Sequence, residues 1–263
     1  MFRRLLFTTF AVSGAVMLGT ALPASAATTV SPVSEAQLQD GRPSSPSDTD
    51  PHWYRQDTTA GGGATLTKDF GAPPPPQELG DGALALTTNG QNSAQAQLVT
   101  YHHVYGTPLT DVADISYWTY HSSQTTGFAD GNAAIDLRVD VDGDLSTTDD
   151  RTTLVYETYW NDTEGTDPQH PEGTVPDTWQ FWDAIAGGWW STKTFACGDF
   201  VVEGTAGGPP DTRPGDVANG CPDAKVVSLA VTAGDFNPNY VVAVDGIHFE
   251  TSTNAYFWDF GPK

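Results

Sequence analysis

The sequence predicts an all-β fold, a two-sheet antiparallel jelly-roll sandwich of about ten strands. Three observations carry that expectation. Apolar and polar residues alternate with period two over 133–142, as a half-buried antiparallel strand requires. Short apolar runs are separated by turn residues throughout, with 27 Gly and 19 Pro in 263 residues. No stretch beyond the N-terminal segment has the spacing of a defensible helix. The length exceeds a one-domain prior of roughly 150 residues but suits one large β domain.

Residues 1–26 read as a signal peptide. Arg3 and Arg4 precede a mostly apolar stretch, and Ala24, Ser25 and Ala26 form a small-residue cleavage site. Residues 27–50, polar and nearly free of aromatics, read as a flexible leader. A single β-sandwich domain then spans 51–263, beginning near Trp53 and Tyr54. Prolines 73–76 form a rigid extended connection. Strands are expected over 83–86, 94–101, 115–120, 132–142, 153–160, 179–184, 189–195, 226–231, 240–249 and 256–260.

Acidic residues outnumber basic ones 33 to 11, which argues against nucleic acid or an anionic membrane as partner. No membrane insertion is expected once the signal segment is removed. Cys197 and Cys221 are the only cysteines, and an even pair in an exported protein predicts a disulfide. The expected location is extracellular.

The strands 132–142 and 152–160 are close enough to pair as a hairpin. Ile135, Leu137 and Val139 form the core side of the first. Burying Glu157 without a partner would be costly, so Leu154, Tyr156, Thr158 and Trp160 are assigned inward on the second. Paired residues share a face, so the pair numbers must add to an odd sum. A sum of 295 sets Arg138 opposite Glu157 and Asp136 opposite Tyr159. That face, Asp136, Arg138, Glu157 and Tyr159, has the mixed polar and aromatic character of a sugar-binding groove; a solvated ion pair is the competing reading. Trp182 joins the candidate set from the crowded Trp179, Trp182, Trp189 and Trp190 region, where core filling is the alternative.

Between these strands lie five carboxylates, Asp140, Asp142, Asp144, Asp149 and Asp150, within eleven residues. Outside the cell Ca²⁺ is the expected neutraliser, in a structural role, and no other cofactor is expected. The first five positions resemble Asp-x-Asp-x-Asp-Gly calcium loops, but Leu145 replaces the turn glycine and no Glu closes the loop. A charged, solvated turn is the other reading. Catalytic searches find no nucleophile elbow, no His-Glu-x-x-His and no phosphate-cradling glycine loop.

Several tracts, GALALTT (82–88), AQLV (96–99), GTPL (106–109), TTLVYE (152–157), TWQFWD (178–183) and VDGIHF (244–249), resemble an uncharacterised family of secreted bacterial β-sandwich proteins. The resemblance covers about residue 53 to the end. It implies a jelly roll of the kind shared by carbohydrate-binding modules and no established activity. The functional expectation is a secreted, non-catalytic module that binds a polysaccharide or cell-surface glycan. The alternatives are a glycoside hydrolase or polysaccharide lyase using Glu157 or Asp183, and an envelope protein-interaction component.

Overall fold

The computed structural model describes residues 28–74, 79–127, 129–162, 169–205, 207–234 and 236–261. The expected signal peptide lies outside these residues, as does part of the proline connection. Strands are numbered along the chain. One sheet contains β1 (Thr28–Pro32), β16 (Ala255–Asp259), β15 (Val241–Thr251), β5 (Ala83–Thr88) and β4 (Gly62–Thr67), with β7 (Val112–His121) and β10 (Trp179–Asp183) continuing from the other edge of β15. The second runs in the order β11 (Trp190–Ser191), β9 (Arg151–Tyr156), β8 (Ala134–Asp140), β14 (Lys225–Gly234), β6 (Gln95–Thr100), β3 (Trp53–Arg55) and β2 (Leu38–Asp40). A small ribbon pairs β12 (Phe195–Cys197) with β13 (Phe200–Val202).

The two large sheets enclose one apolar layer, as a sandwich requires. Ile135, Leu137 and Val139 of β8 are fully buried, and across β14 they face Val231, Leu229 and Val226. Trp53 packs edge-on against Trp258 at 5.6 Å and Phe260 at 5.1 Å, tying the start of the expected domain to its last strand.

Residues 28–50, the described part of the expected leader 27–50, correct the sequence reading. Instead of a flexible leader, this segment adds β1 in parallel to β16 and β2 in parallel to β3. Val33 and Leu38 are the anchors, buried at 2% and 8% exposure. Two apolar side chains in a polar stretch supply little composition signal, but each fills a gap at a sheet edge. Among the described residues there is also one short α-helix, α1 (Pro214–Gly220), with proline at its first turn and Val217 and Ala218 buried.

Cys197 and Cys221 are bonded, 24 residues apart in sequence. The bridge ties the β12–β13 ribbon to the end of α1. Replacing both cysteines by alanine releases a loop whose closure is worth about 3 kcal/mol, read as a lower midpoint in urea unfolding.

Asp245 of β15 is fully buried. Its Oδ1 accepts the N–H groups of Gly246 and Phe260, both at 2.8 Å, while Oδ2 has no partner. Burial outweighs these bonds and pushes its pKa from 3.8 to about 7. A raised carboxyl pKa favours the protonated native state, so its stabilisation is complete below the unfolded pKa and is lost as pH rises towards 7. Asp245→Asn, which keeps the acceptor oxygen, is expected to exceed the parent in stability at pH 8 by on the order of 3 kcal/mol. The gap should narrow towards pH 5, as followed by thermal melts.

Candidate functional site

The hairpin β8–β9 positions a cavity on the outer face of the second sheet. Alternation sends Ile135 and Leu137 inward and therefore turns Asp136 and Arg138 outward. On β9, Leu154 and Tyr156 are buried among the core while Thr153 and Val155 face out beside Asp136. The inward assignment of Leu154 and Tyr156 agrees with the structure, and the pairing sum is odd. Thr158 and Trp160, also assigned inward, instead line the cavity, because the strand ends at Tyr156 and its alternation stops there.

The register is different from the expected one. Asp136 pairs with Val155, Arg138 with Thr153 and Asp140 with Arg151, a sum of 291 in place of 295. Parity alone allows both sums, and the chain contains two rival cross-strand ion pairs. The structure forms the one at the turn: Arg151 Nε lies 2.9 Å from Asp140 Oδ2, with Asp140 fully buried. Arg138 consequently has no ion-pair partner among the described residues and does not line the cavity.

Glu157 and Tyr159 reach the cavity by another route. β9 ends at Tyr156, and the chain then bends through a short turn of 3₁₀ helix, Tyr159–Asn161. That bend carries Glu157, Tyr159 and Trp160 over the outer face. The resulting cavity, about 560 Å³, has a floor of Gln97, Asp136, Val155 and Thr232. Its walls include Asn132, Glu157, Tyr159, Trp160, Trp190 and Phe236. Trp160 and Tyr159 meet edge-on at 5.0 Å, and the Trp160 indole N–H is fastened to the Gly207 carbonyl at 3.0 Å. Phe236 is 75% exposed at the rim.

The polar groups fall into two kinds. Asp136 Oδ2 accepts from Thr232 Oγ1 at 2.7 Å and Gln97 Nε2 at 3.0 Å. Burial nevertheless raises its pKa to about 6, against those two hydrogen bonds. Burial also raises Glu157; the nearby indole N–H groups of Trp190 and Trp160 oppose the shift, and the Asp136 charge adds to it. Asn132 Nδ2 and Trp190 Nε1 are sealed from solvent without a hydrogen-bond partner. The Trp190 N–H thus acts on the Glu157 charge without reaching hydrogen-bond geometry. Two unsatisfied donors therefore line the same cavity as two carboxyl groups. Neither Asn132 nor Trp190 was in the sequence-derived set; only their position around the bend brings them in.

Trp182 does not belong to this surface. It is fully buried, with its indole N–H on Thr119 Oγ1 at 2.8 Å and its ring 6.4 Å from Tyr156. Alternation along β10 sends Gln180 and Trp182 inward and leaves Trp179 and Phe181 on the outer side. Asp183 lies outside the cavity, its Oδ1 accepting the Ala186 N–H at 3.3 Å.

Elsewhere, Asp140, Asp142 and Asp150 gather in the hairpin turn, whereas Asp144 and Asp149 stand apart from that cluster. On the first sheet Asp114, His248 and Glu250 form a further group, within which His248 Nδ1 and Asp114 Oδ2 are 2.8 Å apart.

No protein-family model matches the chain, and no curated protein matches it. Among solved structures it is similar to a family 11 carbohydrate-binding module from Clostridium thermocellum, solved in complex with a β-1,3-1,4-mixed-linked tetrasaccharide. The overlap has a TM-score of 0.36 and 11% identity, covering 76% of this chain and 94% of that one. It is too loose for any residue-by-residue correspondence. No helix among the described residues is long and apolar enough to cross a membrane.

The two carboxyl groups make the cavity sensitive to pH. Asp136→Asn removes the group whose pKa is raised to about 6. The sign follows that of Asp245: the parent loses stability as pH rises through about 6, and the variant loses less. Comparing melts at pH 5 and pH 8 measures the difference.

Proposed function

We propose that the protein is a secreted, non-catalytic module that binds a polysaccharide or cell-surface glycan in the cavity over the β8–β9 hairpin. The observation that carries this reading is a cavity that sets two carboxyl groups beside an aromatic wall. Sugar hydroxyls donate to carboxyl oxygens, so a glycan supplies donors to Asp136 and Glu157. The rings of Tyr159 and Trp160 offer apolar cover for the C–H side of a pyranose. The excess of acid over base, 33 to 11, favours uncharged sugars over uronates or sulfated chains. Secretion is supported by the N-terminal segment and by the disulfide.

A second reading has one observation in its favour. Asp136 and Glu157 line one cavity and both have raised pKa values, the arrangement a glycoside hydrolase or lyase would use for acid–base chemistry.

A panel of neutral polysaccharides, followed by calorimetric titration of the full chain, tests the first reading. Trp160→Ala is expected to weaken binding by roughly tenfold or more, the loss of an aromatic contact worth about 1.4 kcal/mol. Glu157→Gln separates the two readings. A binding module retains its ligand without releasing product, whereas an enzyme releases product from the parent and loses that activity in the variant.

A further inference from the structure

The hairpin turn at the opposite end of β8 and β9 from Glu157 sorts its five aspartates by position. Asp140, Asp142 and Asp150 each bring a carboxylate oxygen within 4.8 Å of the others. Asp144 is turned away into its own chain, its Oδ1 accepting the Ser146 N–H at 3.1 Å and hydroxyl at 2.6 Å. Asp149 is exposed and outside the cluster.

Charge in the cluster is only partly balanced. Arg151 neutralises Asp140 through its Nε at 2.9 Å, and its other nitrogen donates to the Leu145 carbonyl at 2.7 Å. Lys225 directs its Nζ to the Gly143 carbonyl at 2.9 Å. Three carboxylates outnumber the Arg151 guanidinium and the Lys225 ammonium, so the turn keeps a net negative charge.

Two oxygens lack any partner. Asp140 Oδ1 and Asp150 Oδ1 are both sealed from solvent without a hydrogen-bond donor, and the Asp140 side chain is 0% exposed. Leaving a buried carboxylate oxygen unsatisfied is costly, so this arrangement calls for a cation. Carboxylates gathered in an irregular turn suit Ca²⁺, which accepts flexible coordination, better than Mg²⁺, which demands near-ideal octahedral geometry.

The backbone holds the turn in place for this role. The Asp142 N–H donates to Asp150 Oδ2 and the Asp144 N–H to Asp142 Oδ1, both at 2.8 Å. Gly143 has φ of +75°, and a Cβ there would stand 2.2 Å from the Asp223 carbonyl oxygen, so only glycine fits.

We propose that Asp140, Asp142 and Asp150 bind one Ca²⁺, which fastens the first residue of the turn to its last, and that Asp144 and Asp149 take no part. The site is independent of what the cavity binds.

The test uses the full exported chain, stripped with EDTA and then titrated with CaCl₂ by calorimetry and by thermal melting. One Ca²⁺ per chain is expected, with a rise of several degrees in Tm at about 1 mM metal and a much smaller rise with MgCl₂. Asp142→Asn and Asp150→Asn should abolish the rise, while Asp144→Asn keeps it. In EDTA, Asp150→Asn should melt no lower than the parent, because it relieves repulsion that no metal offsets. Asp142 is exposed, so Asp142→Asn still decides the question if Asp150→Asn fails to fold. Identical melts in Ca²⁺ and EDTA would overturn the proposal. So would a rise that survives in Asp142→Asn, or one of equal size with Mg²⁺.

Discussion

The ion pair between Asp140 and Arg151 sets the register on which the rest of the outer face depends. It sits at the last rung of the β8–β9 ladder, with Asp140 completely buried and Arg151 nearly so. Parting the two would strand a buried charge, a loss of about 3–5 kcal/mol for such pairs, whereas an exposed Arg138–Glu157 pair would contribute about 1 kcal/mol or less. The observed register is the one that keeps the buried Asp140 paired. With the register settled at the turn, Asp136 lies beside Val155, and β9 runs out at Tyr156. Glu157 is thereby released from the ladder into the bend that overhangs the sheet.

The two faces of the hairpin do different work because their polar groups are treated differently. Inside, Ile135, Leu137 and Val139 meet apolar partners on both neighbouring strands apart from Thr152. Thr152 is itself satisfied by Ser191 Oγ at 2.7 Å. Outside, the matching is partial: Asp136 accepts from Gln97 and Thr232, while Asn132 and Trp190 keep N–H groups with no acceptor. Buried donors of this kind lower stability. The tryptophans divide along the same line. Trp53, Trp182, Trp189 and Trp258 fill the core, while Trp160 and Trp190 border the cavity.

The same hairpin carries both proposed sites, one at each end. Its turn concentrates negative charge and its base presents a mixed polar and aromatic wall. The β8 strand links them through Asp136 and Asp140, which share the outward parity but differ in surroundings. Asp136 is held by neutral donors, Gln97 and Thr232, and Asp140 by a guanidinium.

From its own residue pattern the chain determined the class of fold, the inward set of β8, the parity of its pairing with β9, and the single possible disulfide. Each of these is local or combinatorial: alternation has period two, and two cysteines allow one pair. Edge strands β1 and β2 escaped that reading, because their burial rests on Val33 and Leu38 alone. Tertiary structure decided the register, since parity permits steps of two residues and the one adopted pairs Asp140 with Arg151. It likewise assigned Trp182 to the core, because membership of a crowded aromatic region does not specify a face. The cavity was the least legible feature. It is assembled from β6, β8, β9, β11, β14 and the loops around them, and no spacing along the chain encodes which side chains a bend will carry over a sheet.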